Sequence, residues 1–173
     1  MIIKARRYLN KESLLTLFYS FIYPYFTYCN QIWGSTYISS QKRLITSQKK
    51  IVRIISHERP RTLSEPLFTN LRIMKFTDIN KYLIGLFMYK WFHQKAPTMF
   101  TDFFRENMLI HEYNTRISHH LHIPKFKTNL GKRCIKYQGV VIWNSIINNG
   151  ISLTLSEGSY KHNLKSLCMK SLI

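Results

Sequence analysis

The 173-residue chain carries only eight Asp and Glu residues. Two-metal phosphoryl transfer needs at least two carboxylates converging on ions about 4 Å apart. The closest-spaced pair is Asp102 and Glu106, with Phe103, Phe104 and Arg105 between them. This spacing reads as the polar side of an amphipathic helix over residues 98–106 rather than as a metal centre. His119, His120 and His122 form a local HHxH cluster near Arg116. Adjacent residues of extended chain point in opposite directions, and neither Glu112 nor His119 has ligand spacing. A solvated loop whose histidines protonate near phosphate is the simpler reading. The thiols Cys29, Cys134 and Cys168 are far apart and form no C-x-x-C pair, which excludes a local zinc knuckle or disulfide framework. No G-x-S-x-G, P-loop, H-E-x-x-H or aromatic-Ala-Asp-Asp sequence occurs.

Positive charge is what the chain has in quantity. Twenty-six Lys and Arg against eight acidic residues give a formal charge of +18, which points to a polyanionic partner, nucleic acid or an anionic membrane surface. The charge is most ordered between residues 40 and 57. At about 100° per residue, Lys42, Arg43, Lys49, Lys50 and Arg53 fall within roughly one third of a helix circumference. Leu44, Ile45, Ile51, Val52, Ile54 and Ile55 take the opposite side, and no acidic residue lies between Lys42 and Arg53. Such a face is either plainly solvated or tracks phosphates. Trp33, Trp91 and Trp143 are read as core residues before base-stacking ones.

The elements positioning these residues read as mainly helical. With 45% hydrophobic and 14% aromatic residues, the chain has material for a core and is not a disordered basic tail. Leu14, Leu17/Phe18 and Phe21/Ile22 mark a helix capped by Asn10, which Pro24 kinks or ends. A short helix over 25–33, stopped by Gly34, follows, then the basic helix and a loop over 57–66. Further helices are expected at 65–71, from Thr77 or Asp78 to about Gln94, and from Ser156 to Leu172. Tyr113 to Asn129 has no helical period. Residues 133–143, RCIKYQGVVIW, are read as a strand followed by a short helix, an assignment that periodicity leaves ambiguous.

The uncharged stretch between Glu12 and Lys42 includes LLTLFYSFIYPYFTYCNQIW, 20 residues long and so of spanning length. Its Pro, Asn, Gln and many Tyr residues favour a buried helical hairpin over a membrane span. Reduced thiols, and no signal-peptide pattern in MIIKARRYLNKE, set the expected compartment as intracellular, nucleus or cytoplasm.

Six segments stand in one order: LLTLFYSFIYPYFTYCNQIWGSTY, SQKKIVRII, EPLFTNLRIMKFTDIN, FMYKWF, HEYNTRISHHLHIPKF and IKYQGVVIWNSI. This succession resembles the C-terminal part, thumb and tail, of reverse transcriptases from non-long-terminal-repeat (LINE-type) retrotransposons. The resemblance extends from about Ala5 to Leu172. It implies a thumb-like helical region over residues 1–95, with Tyr23, Pro24, Tyr28, Trp33 and Gly34 in its hairpin. Gln48, Lys49, Lys50 and Arg53 fall in its basic helix. A C-terminal extension over 96–173 is implied, with loops, short strands and a final helix. There Tyr113, Asn114, Thr115 and Arg116 match an aromatic-Asn-Thr-Arg element, and Gly139 to Trp143 and Asn144 a Gly-x-x-x-Trp-Asn element.

Such polymerases copy RNA into DNA with Mg²⁺ held by palm aspartates. The resemblance supplies no counterpart of those aspartates in this chain, so no cofactor is expected of it and no polymerase activity by itself. Met1 is then expected to be an internal methionine of a longer ancestral polymerase. The implied function is that of a truncated, non-catalytic fragment binding the backbone of a template–primer, whether RNA, DNA or their hybrid. Lys42, Arg43, Lys49, Lys50, Arg53 and Arg116 are the expected contacts. The other readings are a domesticated protein-interaction module, a membrane-associated protein anchored through residues 13–41, and a translated relic without function. The sequence sets no oligomeric state.

Overall fold

A computed structural model of the chain describes residues 2–110 and 117–170. The fold is mainly α and divides into two compact units, Met1–Asn80 and Lys81–Ile173.

In the first unit, α1 (Ile2–Ala5) precedes α2 (Lys11–Leu17). Asn10 caps α2, its side-chain oxygen accepting from the Ser13 amide at 2.9 Å, while Glu12 lies in the first turn. The chain then widens into a π-helical turn, Phe18–Ile22, and continues as α3 (Tyr23–Thr27). Pro24 therefore does not end the helical path. Proline cannot donate to the preceding turn, and a π-turn with the Tyr23 amide bonded to the Phe18 carbonyl accommodates that loss. The wider turn shifts the phase of the apolar face: Leu14 and Phe18 are buried, whereas Phe21 is exposed. Cys29, in the left-handed region at φ 48°, separates α3 from α4 (Asn30–Trp33). The 20-residue apolar stretch is thus broken into short pieces, and no helix among the described residues is long and apolar enough to cross a membrane.

Asn30 is fully buried, and its amide nitrogen donates to the Phe26 carbonyl at 2.8 Å. Asn80 donates to both the backbone and the side-chain oxygen of Asn30, at 3.0 and 2.9 Å. A Cβ at residue 34 would overlap these groups, so glycine is required there by close approach. The long helix α5 (Ile38–Ile55) follows, packing on α1, α2 and α6 (Glu65–Leu71). The next helix, α7 (Phe76–Phe92), begins in the first unit and continues into the second.

The second unit surrounds the later part of α7 with α8 (Ile135–Asn148) and α9 (Glu157–Met169). Gly85 and Gly139 admit close neighbours: a Cβ at Gly85 would press on Leu164 and Ile146, and one at Gly139 on Met88 and Phe104. Trp143, Ile146, Tyr160 and Leu164 are buried in this core. Residues 135–148 are one helix, which corrects the strand expected within 133–143. The run Gly139, Val140, Ile142, Trp143 and Ile146 is buried at helical spacing, so packing outweighs the β preference of Val and Ile. Among the described residues there is no strand, only an isolated antiparallel bridge between Glu106 and Leu121. The helix expected over 98–106 is a single 3₁₀ turn, Thr98–Phe100. Tyr113 to Arg116 and Leu172 lie outside the described residues.

Tyr160 donates to the Gly85 carbonyl at 3.3 Å and stacks on Tyr89 with ring centroids 4.2 Å apart. Burial pushes its hydroxyl well above the ordinary phenol range. An acid whose folded pKa is raised stabilises the fold below its unfolded pKa, and that stabilisation fades as pH rises past it. The second unit is therefore expected to lose stability from about pH 10 upward. Absorbance titration should show Tyr160 ionising only as the unit unfolds. The variant Tyr160→Phe should show a flatter decline in thermal midpoint over that range.

Candidate nucleic-acid interface

The basic helix forms as the sequence spacing requires. In α5, Gln41, Gln48, Val52 and Ile55 are buried, while Lys42, Arg43, Thr46, Ser47 and Lys50 are exposed. Lys49 and Arg53 flank this face and are half-buried. From Lys42 to Lys50 the helix rises about 12 Å. A duplex presents about one negative charge per 1.7 Å of axis, so a row of this length matches the axial spacing of several phosphates. Among the described residues no carboxylate lies within ion-pair distance of any of these five cations. The ion pairs there are Lys75–Glu65, Lys95–Glu157 and Lys161–Glu157.

What fixes the rotation of α5 is a pair of buried amides rather than apolar residues alone. Gln48 donates to the Met74 carbonyl at 2.9 Å and accepts from the Phe76 amide at 2.8 Å. It thereby holds the first turn of α7 through both a donor and an acceptor. Gln41 donates to the carbonyls of Gly34 and Thr36, at 2.8 and 2.9 Å. Gln48, which the resemblance places in the basic helix, faces inward. The seven-residue recurrence of Gln41, Gln48 and Ile55 is the signal that could have revealed this face.

Arg53 also has a partner within the fold. Its Nε donates to the Thr62 carbonyl at 2.7 Å, tying the loop after α5 back to the helix. Arg53→Ala is expected to cost about 1–2 kcal/mol and to free the loop. Limited trypsin digestion should then cut faster after Arg61, which is exposed and is followed by Thr62 rather than proline. Beyond the C-terminal end of α5, Arg6 donates from Nε to His57 Nδ1 at 3.5 Å. This adds a cation to that end of the row which sequence spacing could not reveal. Arg116 lies outside the described residues.

The other residues weighed in sequence are dispersed or committed elsewhere. Asp102 and Glu106 do not share a helix, and Glu106 takes part in the bridge to Leu121. Among the described residues no three His, Cys, Asp or Glu side chains gather where they could hold a metal ion. Cys29 is exposed, Cys134 half-buried and Cys168 buried, none of them in a disulfide. Trp143 is buried. Trp33 stacks on Phe76 and donates to the Tyr28 carbonyl, while Trp91 packs edge-on against Phe104 and donates to the Phe100 carbonyl. All three indoles have packing roles.

Comparison of the chain with protein families, with curated proteins and with solved structures finds no match.

Proposed function

We propose that the chain is a thumb-and-tail fragment of a LINE-type reverse transcriptase that binds the nucleic-acid backbone and does not polymerise. The observation that carries this reading is the row Lys42, Arg43, Lys49 and Lys50 on one side of α5, without a carboxylate partner among the described residues. Side chains on a helix exterior reach phosphates without entering a groove, so contact is to backbone and carries little sequence information. The fragment identity draws on the order of the six sequence segments. Within that resemblance Gly139 and Trp143 supply close packing to the second unit, and Asn144 bonds both to the amide and to the carbonyl of Leu121, at 3.0 and 2.9 Å.

The test is titration of short RNA–DNA hybrids of several unrelated sequences with the full chain. Affinities within a few-fold of one another at low salt are expected. No binding at low salt, or a strong preference for one sequence, would overturn the reading. A protein-interaction module is the second reading, favoured by the exposure of Phe21, Tyr25, Tyr28 and Ile32 in the first unit. Sedimentation of the chain alone and with nucleic acid separates the two, since self-association that nucleic acid does not alter favours the second.

A further inference from the structure

The second unit holds a cleft of about 410 Å³ that the basic helix does not touch. One wall comes from two extended segments paired antiparallel: Asn107 donates to the His120 carbonyl at 2.9 Å, and His122 to the Arg105 carbonyl at 2.8 Å. Asn144 of α8 clamps this pair through Leu121. The facing wall is the start of α8, where Lys136 and Val140 line the cleft. Phe104 also lines it, and both Phe104 and Val140 are buried. The walls are thus hydrogen-bonded to each other.

Arg105, Lys125 and Lys136 line the cleft against one carboxylate, Asp102, a net charge of +2 (3 − 1) with His122 neutral. None of the three cations has an ion-pair partner among the described residues. The Lys136 ammonium lies 5.0 Å from the centroid of the Phe103 ring. It is held by the ring's quadrupole and not by an opposing charge, so its positive charge remains available to an anion. Phe103, Ile110 and Pro124 add apolar surface beside these cations.

We infer that this cleft holds one nucleotide of a single-stranded nucleic acid, its phosphate among Arg105, Lys125 and Lys136 and its base against Phe103, Ile110 and Pro124. Two kinds of lining, cationic and apolar, match the two parts of a nucleotide, as single-strand sites combine a basic groove with surfaces for base faces. The volume falls within the small-ligand range of about 300–1,000 Å³, enough for one nucleotide and too little for a paired duplex. A phosphoserine residue would use the cations but carries no flat ring for the apolar wall. Nucleic acid as the class of partner rests on the proposed function, while the cleft is a separate site.

The test uses the full chain and a fluorescent single-stranded hexanucleotide. Replacing Arg105→Gln, Lys125→Gln and Lys136→Gln together is expected to weaken its binding about tenfold. Affinity for an RNA–DNA hybrid should stay within about twofold, since α5 is intact. Gln at Lys42, Arg43, Lys49 and Lys50 should do the reverse. Unchanged hexanucleotide binding in the cleft variant would overturn the inference, as would a phosphoserine peptide that binds the cleft more tightly than the hexanucleotide. Should the cleft variant melt early, photo-cross-linking of a 4-thiouridine hexanucleotide to the unaltered protein decides. Cross-links within residues 102–105 or 122–125 support the site, and cross-links confined to 38–55 exclude it. Hexanucleotide binding without hybrid binding would refute the α5 reading and keep the cleft, whereas hybrid binding alone would refute only the cleft.

Discussion

Gln48→Leu is expected to destabilise the first unit by about 2–6 kcal/mol, the largest effect on folding of any substitution considered for this chain. Gln48 is fully enclosed, and its amide satisfies a carbonyl at Met74 and an N–H at Phe76. Leucine has nearly the same volume, so the cavity term is small and the cost is that of two buried backbone groups left without partners. Each such group costs about 1–3 kcal/mol. Gln41→Leu should cost less, because Gln41 supplies only donors and leaves carbonyls, which tolerate loss of a partner better than an N–H does. Denaturant unfolding of both variants measures the difference. Equal stability of Gln48→Leu and the unaltered chain would mean that α5 is not fixed in rotation by this amide.

Replacing Lys42, Arg43, Lys49 and Lys50 together with Gln should lower affinity for an RNA–DNA hybrid by about 10²–10³-fold at ~0.1 M salt. Each cation that meets a phosphate releases condensed counterions, and losing three or four such contacts removes most of a backbone-only interaction. The substitutions lie on the exposed or half-buried side of α5 and touch neither Gln41 nor Gln48. Thermal stability should therefore change little, and relief of like-charge crowding acts in the stabilising direction. Arg53 is left in place because it holds the loop at Thr62. Including it would mix a folding effect with a binding effect. Hybrid affinity within a few-fold of the unaltered chain would contradict a role for the row.

Several helices were legible in the sequence, with or without a side-chain cap. The expected 65–71 helix is α6, and Ser156 caps α9 by accepting from the Ser159 amide. Local chemistry decides such elements, so local reading suffices. The misreadings came where tertiary packing decides. Residues 133–143 have a β-branched run, yet close approach of Gly139 to Met88 and burial of Trp143 select a helix. Met99, Phe100, Phe103 and Phe104 have helical spacing, but pairing of residues 105–108 with 118–122 draws the chain out of a helix after one turn.

The basic side of α5 was legible because charge and periodicity agree there. Its buried side was legible only in part, at Val52 and Ile55, since Gln41 and Gln48 look like solvent-facing residues until the backbone groups they satisfy are in place. The same holds for Asn144, whose amide joins α8 to Leu121. The cleft is invisible in sequence for a related reason. Arg105, Lys125 and Lys136 are spread over 32 positions (136 − 105 + 1) and meet only through the fold.

The salt dependence of hybrid binding, measured on the unaltered chain and the four-residue α5 variant, tests the central claim most directly. Each phosphate contact contributes about 0.9 to the slope of log affinity against log salt. The slope should therefore flatten by about 3–4 in the variant. Parallel lines for the two proteins would contradict the account, since they would place the phosphate contacts elsewhere than on α5.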